Sequence, residues 1–148
     1  MRARLSLLVL LGLAVATPAA AQDRDYVNPA SASDATVLPF SGAAWVGQTL
    51  YLSGTIGLTA DQGVPVTAEE EARNVLNNVK GTLEAAGLTM DDLVSVQVFS
   101  SDVADYDAFN AVYRTFFTQT YPARAFIGAG TLLFGARFEV MGIAARGR

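Results

Sequence analysis

The spacing of apolar residues between positions 40 and 145 predicts five strands. The clearest is 93–100, where valines at every second position alternate with Ser95, Gln97 and Phe99, the period of a strand with one buried face. Gly47 and Gln48 separate the first two segments and suit a tight hairpin, since glycine tolerates positive φ. The predicted strands are residues 40–46, 49–53, 93–100, 123–128 and 137–145.

Helical periodicity fills two of the intervals between these strands. Thr67 and Glu70 have the spacing of a capping box, apolar residues then recur at helical spacing, and Gly87 favours termination. Asp105 is placed to cap a second helix, whose apolar face consists of Tyr106, Phe109, Val112, Tyr113, Phe116 and Phe117. The order ββαβαββ predicts an α+β fold with two helices on one face of a mixed sheet. We expect sister subunits to cover the other face.

The first 21 residues have the pattern of a signal peptide. Arg2 and Arg4 precede an apolar run at 5–16, and alanines at 19–21 provide the small residues that a signal peptidase requires. The alternative is a retained membrane anchor, but the run covers only about 18 Å as a helix, against ~30 Å of hydrocarbon. We therefore expect an exported protein, periplasmic or secreted, with no membrane attachment after cleavage. Its segments would be a signal peptide at 1–21, a flexible leader at 22–37 and one domain at 38–148.

Composition narrows the possible chemistry. The 148 residues include 10 Lys or Arg, 14 Asp or Glu, and neither Cys nor His. An acidic chain without a basic run is a poor nucleic-acid binder, because that affinity depends on neutralising phosphates. Without Cys and His there are no disulfides, no thiolate or histidine metal sites, and no Ser-His-Asp or cysteine catalysis. The side-chain groups that remain available for catalysis and binding are carboxylates, hydroxyls, lysine and arginine.

A single charge, Arg124, stands in the otherwise small or apolar stretch 121–130. One interpretation is that it binds a carboxylate, since the planar guanidinium makes two parallel charge-assisted hydrogen bonds to that group. The other is an outward-facing strand arginine that is solvated or paired with an acid. The pattern alone leaves both open.

The chain resembles the RidA (YjgF-type) family of reactive-imine deaminases in seven short segments that stand in one order. They are residues 52–54, 78–80, 83–87, 110–113, 116–117, 122–124 and 142–144, within a match that runs from Leu38 to Arg146. The resemblance implies a chorismate-mutase-like fold and a homotrimer with ligand clefts between subunits. It also implies hydrolysis of 2-imino acids to 2-keto acids and ammonia, with no metal and no organic cofactor.

The same resemblance implies site residues. Arg124 stands where the family's arginine grips the substrate carboxylate. Ser53 stands where the family has a serine at the pocket, but it is equally well explained as a strand-end serine that bonds to the backbone. Gly54 either allows a close approach of its backbone in the same pocket or is a turn glycine. Phe40 stands where many relatives carry tyrosine. Asn110 either shapes the cleft or lies on the helix surface.

Two positions depart from the family pattern. The resemblance implies a glutamate that manages water and proton where this chain has Met141, and a cysteine where it has Phe126. Losing a general acid–base costs about 10²–10⁴ in rate, so we expect weakened deamination. Glu139 lies two residues from Met141 on the same side of the strand and is the substitute catalytic candidate, unless it is solvated or pairs with Arg137. The alternatives are a carboxylate-binding module without turnover and a structural trimer.

Overall fold

A computed structural model describes residues 23–28 and 39–147. The predicted signal peptide, and the predicted leader apart from residues 23–28, lie outside the described residues. Of the helices in the described part, none is long and apolar enough to cross a membrane.

Within the described residues, six strands form one mixed sheet. They are β1 (Arg24–Val27), β2 (Ala43–Val46), β3 (Thr49–Ile56), β4 (Leu93–Ser100), β5 (Ala123–Gly128) and β6 (Phe138–Ala145). Their spatial order is β1-β2-β3-β6-β4-β5, and neighbours are antiparallel except for β4 and β5, which run parallel. The predicted α+β class and the mixed sheet are confirmed, and β5 lies at an edge of the sheet.

Two α-helices, α1 (Ala68–Ala85) and α2 (Tyr106–Tyr113), connect the strands. The predicted capping box is present: the Glu70 amide donates to Thr67 Oγ1 and the Thr67 amide donates to Glu70 Oε2, both at 3.2 Å. Gly87 follows the helix end at φ +76°, the left-handed conformation that glycine allows. The predicted cap of the second helix is wrong, because Asp105 makes no side-chain capping bond.

The core lies between the helices and one face of the sheet. Along β6, Phe138, Val140 and Ala144 are buried, whereas Glu139 and Met141 are only partly buried. The buried strand residues pack with apolar residues of both helices in one cluster. Neither α-helix covers the opposite side of the sheet, which we call the open face.

The sheet differs from the prediction at three places. Residues 24–27 of the predicted leader form β1, because their backbone pairs with β2. The strand predicted to start at Phe40 begins at Ala43, and β3 continues through Gly54 to Ile56. Between Leu52 and Thr55 the pairing of β3 with β6 shifts register, so the strand continues through a β-bulge beyond residue 53, where it was predicted to end.

A buried ion pair fixes the start of β6. The Glu71 side chain is fully buried and its Oε2 lies 2.9 Å from Arg137 Nη1. Its Oε1 accepts from the backbone amides of Arg137 at 2.5 Å and Phe138 at 3.1 Å. The Arg137 guanidinium also donates to the carbonyls of Pro65 and Val66, so one carboxylate and one guanidinium join α1, β6 and the loop before α1.

Candidate functional site

Arg124 lies on the edge strand β5 with its side chain on the helix face. Its backbone pairs with Val96, a core residue of β4, which places both side chains on the same side of the sheet. The guanidinium carbon lies 4.6 Å from the ring centroid of Tyr113, 5.8 Å from Tyr106 and 6.0 Å from Phe109. Three aromatic rings of α2 therefore surround a partly buried cation.

No acid neutralises this arginine within the described chain. The ion pairs there are Lys80–Glu84 and Arg137–Glu71, and no described side chain or backbone carbonyl accepts a hydrogen bond from Arg124. Pairing of Arg124 with an acid, one form of the second interpretation, is therefore wrong for the described residues, whereas solvation of this partly exposed side chain stays open. Its five N–H donors are available to a ligand or to another chain.

A pocket of about 240 Å³ lies beside the guanidinium. We define the arginine pocket by five residues that line it: Tyr106, Asn110, Tyr113, Tyr121 and Arg124. Asn110 is only 6% exposed, which excludes the helix-surface interpretation, and its side-chain amide bonds to no other described residue. A cation and an uncommitted amide thus share one small concavity.

Tyr113 is the most enclosed part of this pocket. It is 4% exposed, and its hydroxyl oxygen is the single buried side-chain polar atom in the described residues without a hydrogen-bond partner. Burial raises the pKa of Tyr113 to about 12, against the opposing effect of the Arg124 charge. The phenol therefore stays neutral at physiological pH and does not ion-pair with Arg124.

Phe126 packs beneath the pocket rather than lining it. Its ring meets Tyr106 at a centroid distance of 5.1 Å and Phe109 at 5.7 Å, both edge to face. Phe126, which stands where the family carries a cysteine, is thus part of the aromatic cluster beside the rings around Arg124.

The β-bulge in β3 creates a second group of predicted site residues. Ser53 and Gly54 lie opposite the single residue Met141, because Leu52 pairs with Gly142 and Thr55 with Val140. The Ser53 hydroxyl donates to the Ser41 carbonyl at 2.7 Å. Ser53 therefore donates its hydroxyl proton to a backbone carbonyl, as one of its two interpretations predicted. Towards a ligand, the hydroxyl oxygen can then act only as a hydrogen-bond acceptor.

Glu139 lies against this bulge on the open face. A Cβ atom added at Gly54 would overlap its carboxylate, so any other residue at position 54 would displace the end of the Glu139 side chain. The cross-strand neighbours of Glu139 are Ile56 and Phe99, and no described residue donates a hydrogen bond to its carboxylate. Because Arg137 is engaged by Glu71, the expected alternative of a Glu139–Arg137 pair is wrong.

Met141 shares the face of Glu139 and pairs with Gln97 across the strands. We call Ser53, Gly54, Glu139 and Met141 the bulge site. Phe40 precedes β2, next to the Ser41 carbonyl that binds Ser53, and its ring is 55% exposed. It does not line the arginine pocket of the same chain.

The predicted site residues therefore divide between the two faces of one sheet. Arg124, Asn110 and Phe126 lie on the helix face, whereas Glu139 and Met141 lie on the open face. Within one chain the sheet separates the free guanidinium from the free carboxylate. No cluster of three or more potential metal-ligating side chains occurs among residues 23–28 and 39–147.

Sequence reasoning missed the tyrosines of the arginine pocket. Tyr106 and Tyr113 were assigned only to an apolar helix face, and Tyr121 received no role. One indication was present in the sequence: Tyr106 and Tyr113 are seven residues apart, so they stand on one side of α2, and tyrosine rings can pack against an arginine.

The comparison with known proteins identifies the family. The family model described as Endoribonuclease L-PSP matches residues 31–146. The 2-iminobutanoate/2-iminopropanoate deaminase of Dermatophagoides farinae is 38% identical over 107 residues, which cover 71% of this chain and 84% of that protein. The protein of the same name from Escherichia coli K12 is 35% identical over 116 residues, which cover 76% of this chain and 91% of that protein.

Solved structures show the same fold. RidA from Psychrobacter sp. PAMC 21119 superposes with a TM-score of 0.70 at 31% identity, covering 76% of this chain and 92% of that one. Escherichia coli TdcF with bound serine gives a TM-score of 0.70 at 30% identity, covering 75% of this chain and 91% of that one. The resemblance stated from seven short segments is confirmed, and the chain belongs to the RidA/YjgF family.

Proposed function

We propose that this protein binds small 2-imino and 2-keto carboxylates through Arg124 and hydrolyses the 2-imino acids to 2-keto acids and ammonia. The observation that carries the proposal is the partly buried Arg124 guanidinium, which has no acceptor among the described residues and borders a pocket. A carboxylate fits it because two parallel charge-assisted hydrogen bonds satisfy one edge of the guanidinium. Asn110 supplies a further donor or acceptor beside it.

The proposal places each site between two copies of the chain, in a homotrimer. Arg124 and Glu139 face opposite sides of the sheet, so one copy does not present both to one small molecule. Two features of the described residues support an assembly: none of their helices lies on the open face, and none of their strands pairs with the outer edge of β5. The arginine pocket of one copy would then meet the bulge site of the next.

Glu139 is the proposed acid–base group. As the water oxygen bonds to the imine carbon, Glu139 takes one water proton and passes it to the imine nitrogen, which gives a carbinolamine. The carbinolamine hydroxyl proton then moves through Glu139 to the nitrogen, the C–N bond breaks, and a C=O bond forms as ammonia leaves. The carboxylate ends as it began, and no other reactant is consumed.

Three relatives support the ligand class. The matched proteins from mite and Escherichia coli are named imine deaminases, and TdcF was crystallised with serine, an amino acid with a free carboxylate. The description of the family model also names an endoribonuclease. We favour the carboxylate ligand over RNA, because the chain has a net charge of −4 and no His.

The test is ammonia release from 2-iminobutanoate generated in situ, compared with a reaction without protein. We expect acceleration by the wild type and a loss of about 10²–10⁴ in Glu139→Gln, with Glu84→Gln as a surface control that changes nothing. Met141→Glu addresses the expected weakness directly: a rate well above wild type would show that Met141 limits turnover.

A wild-type rate equal to the reaction without protein would contradict the deaminase proposal. Binding of 2-oxobutanoate to that inactive protein would then favour the carboxylate-binding module. Absence of both activity and binding would favour the structural trimer.

A further inference from the structure

The Arg124 guanidinium is held by aromatic rings in place of the acid that usually fixes a partly buried arginine. Tyr113 contributes the nearest ring face, at 4.6 Å from the guanidinium carbon, whereas Tyr106 lies more than an ångström further away. A cation over an aromatic face is attracted by the ring quadrupole and keeps its N–H donors unused. The ring therefore fixes the arginine without consuming the groups that would bind a ligand.

Tyr113 is itself rigidly supported. Its ring packs against Phe117 at a centroid distance of 4.7 Å, Phe109 at 5.8 Å and Tyr121 at 6.3 Å. The side chain is almost completely buried, so its ring has one orientation relative to β5. The Arg124 guanidinium, which packs on this ring face, is therefore held in a defined position relative to β5.

The hydroxyl of Tyr113 adds nothing to this support. It has no hydrogen-bond partner in the described residues, and burial keeps it protonated because the pKa of Tyr113 rises to about 12. What Arg124 contacts is the ring. A phenylalanine would present the same face without a buried, unpaired hydroxyl.

We propose that Tyr113 is a positioning residue whose ring holds the Arg124 guanidinium in the arginine pocket with its donors directed at the ligand carboxylate. The inference rests on the proposed function of Arg124 as the carboxylate anchor. Without the ring, the long arginine side chain samples other rotamers, and binding must then restrict it at the expense of affinity.

The experiment compares three variants with the wild type by titration with 2-oxobutanoate. Tyr113→Met retains apolar bulk but has no π face, and we expect affinity to fall about 3- to 30-fold. Tyr113→Phe is the conservative rescue and should bind within about twofold of wild type. Phe117→Met is the matched control, because Phe117 packs on Tyr113 but not on Arg124.

A spectroscopic measurement separates positioning from packing. The Nε–H resonance of Arg124, assigned by its loss in Arg124→Lys, should be shifted upfield by the Tyr113 ring current. We expect this shift in the wild type, in Tyr113→Phe and in Phe117→Met, and its loss in Tyr113→Met. If Tyr113→Met does not fold, the wild-type resonance alone decides, since an unshifted Nε–H contradicts the stacked arrangement.

The outcomes distinguish this inference from the proposed function. Unchanged affinity in Arg124→Ala would overturn the carboxylate anchor itself. Lost affinity in Arg124→Ala together with wild-type affinity in folded Tyr113→Met would leave the anchor standing and overturn the role of Tyr113. Equal losses in Tyr113→Met and Phe117→Met would also overturn it, because general packing would then explain both.

Discussion

Two arginines at the sheet, Arg137 and Arg124, are both partly buried and have opposite surroundings. Arg137 donates to the buried carboxylate of Glu71 and to two backbone carbonyls, so its polar capacity is used inside the chain. Arg124 contacts aromatic rings and no described acceptor. The comparison separates a structural arginine, whose N–H donors are used inside the chain, from the proposed binding arginine, whose N–H donors meet no acceptor among the described residues.

Removing the acid that binds Arg137, the structural arginine, should have the largest effect on stability. Glu71→Ala leaves Arg137 and two backbone amides without their acceptor, and we expect the free energy of unfolding to fall by about 3–5 kcal/mol. Urea denaturation measures this loss. Glu84→Ala removes an exposed partner of Lys80 at 3.6 Å and should cost less than about 1 kcal/mol. Equal losses of unfolding free energy in the two variants would contradict the distinction between the Glu71–Arg137 pair inside the chain and the exposed Lys80–Glu84 pair.

Arg124, the proposed binding arginine, should show the opposite behaviour. Arg124→Ala is expected to weaken 2-oxobutanoate binding by about 2–5 kcal/mol while changing the midpoint of unfolding little, because no described ion pair is lost. Isothermal titration calorimetry measures the affinity and thermal denaturation provides the control. A destabilised Arg124→Ala protein with unchanged affinity would reverse the roles assigned to the two arginines.

The bulge site offers a third test, in which the expected change in free energy is smaller than in the two tests above. Gly54→Ala places a methyl group where the Glu139 carboxylate lies, and displacement of a catalytic group by about 1 Å can cost 10²-fold in rate. We expect kcat for ammonia release to fall by about that factor while 2-oxobutanoate still binds Arg124. Wild-type turnover in Gly54→Ala would show that the Glu139 position against the bulge is irrelevant to the reaction.

The smallest effect concerns Tyr113 and alkaline pH. Because its pKa is about 12 in the folded chain and near the ordinary value of 10 when unfolded, the unfolded state loses this proton first. The free energy of unfolding should therefore fall as pH rises from 10 to 12, by about 2 kcal/mol more in wild type than in Tyr113→Phe. Parallel pH profiles for the two proteins would show that Tyr113 is not buried as described.

Local sequence patterns predicted those features of the fold that depend on interactions between residues close together in the chain. The capping box of Thr67 and Glu70 and the stop at Gly87 depend on residues within one turn, and both are confirmed. The alternation along 93–100 likewise placed Val96 and Val98 in the core. Val94, which the same alternation predicted to be buried, is 51% exposed, because the pairing of β4 with β6 shifts register between Leu93 and Ser95. The α+β class followed from the order of these elements.

Features that depend on pairing between distant segments were not predictable. The bulge at Ser53 and Gly54 exists only relative to β6, and β1 exists only because β2 lies beside it. The partner of Arg137 is 66 residues away on α1, which no periodicity reveals. The assignment of Asn110 to the pocket likewise required the packing of α2 on β5.

The most direct measurement of the central claim is complementation between two inactive variants. Arg124→Ala and Glu139→Gln chains with different affinity tags are co-expressed and purified through both tags, and ammonia release from 2-iminobutanoate is compared with each parent. If the site joins the arginine pocket of one copy to the bulge site of the next, each mixed trimer contains one intact site, and activity should recover to about one third of wild type. Mixed oligomers no more active than their parents would contradict a site shared between copies.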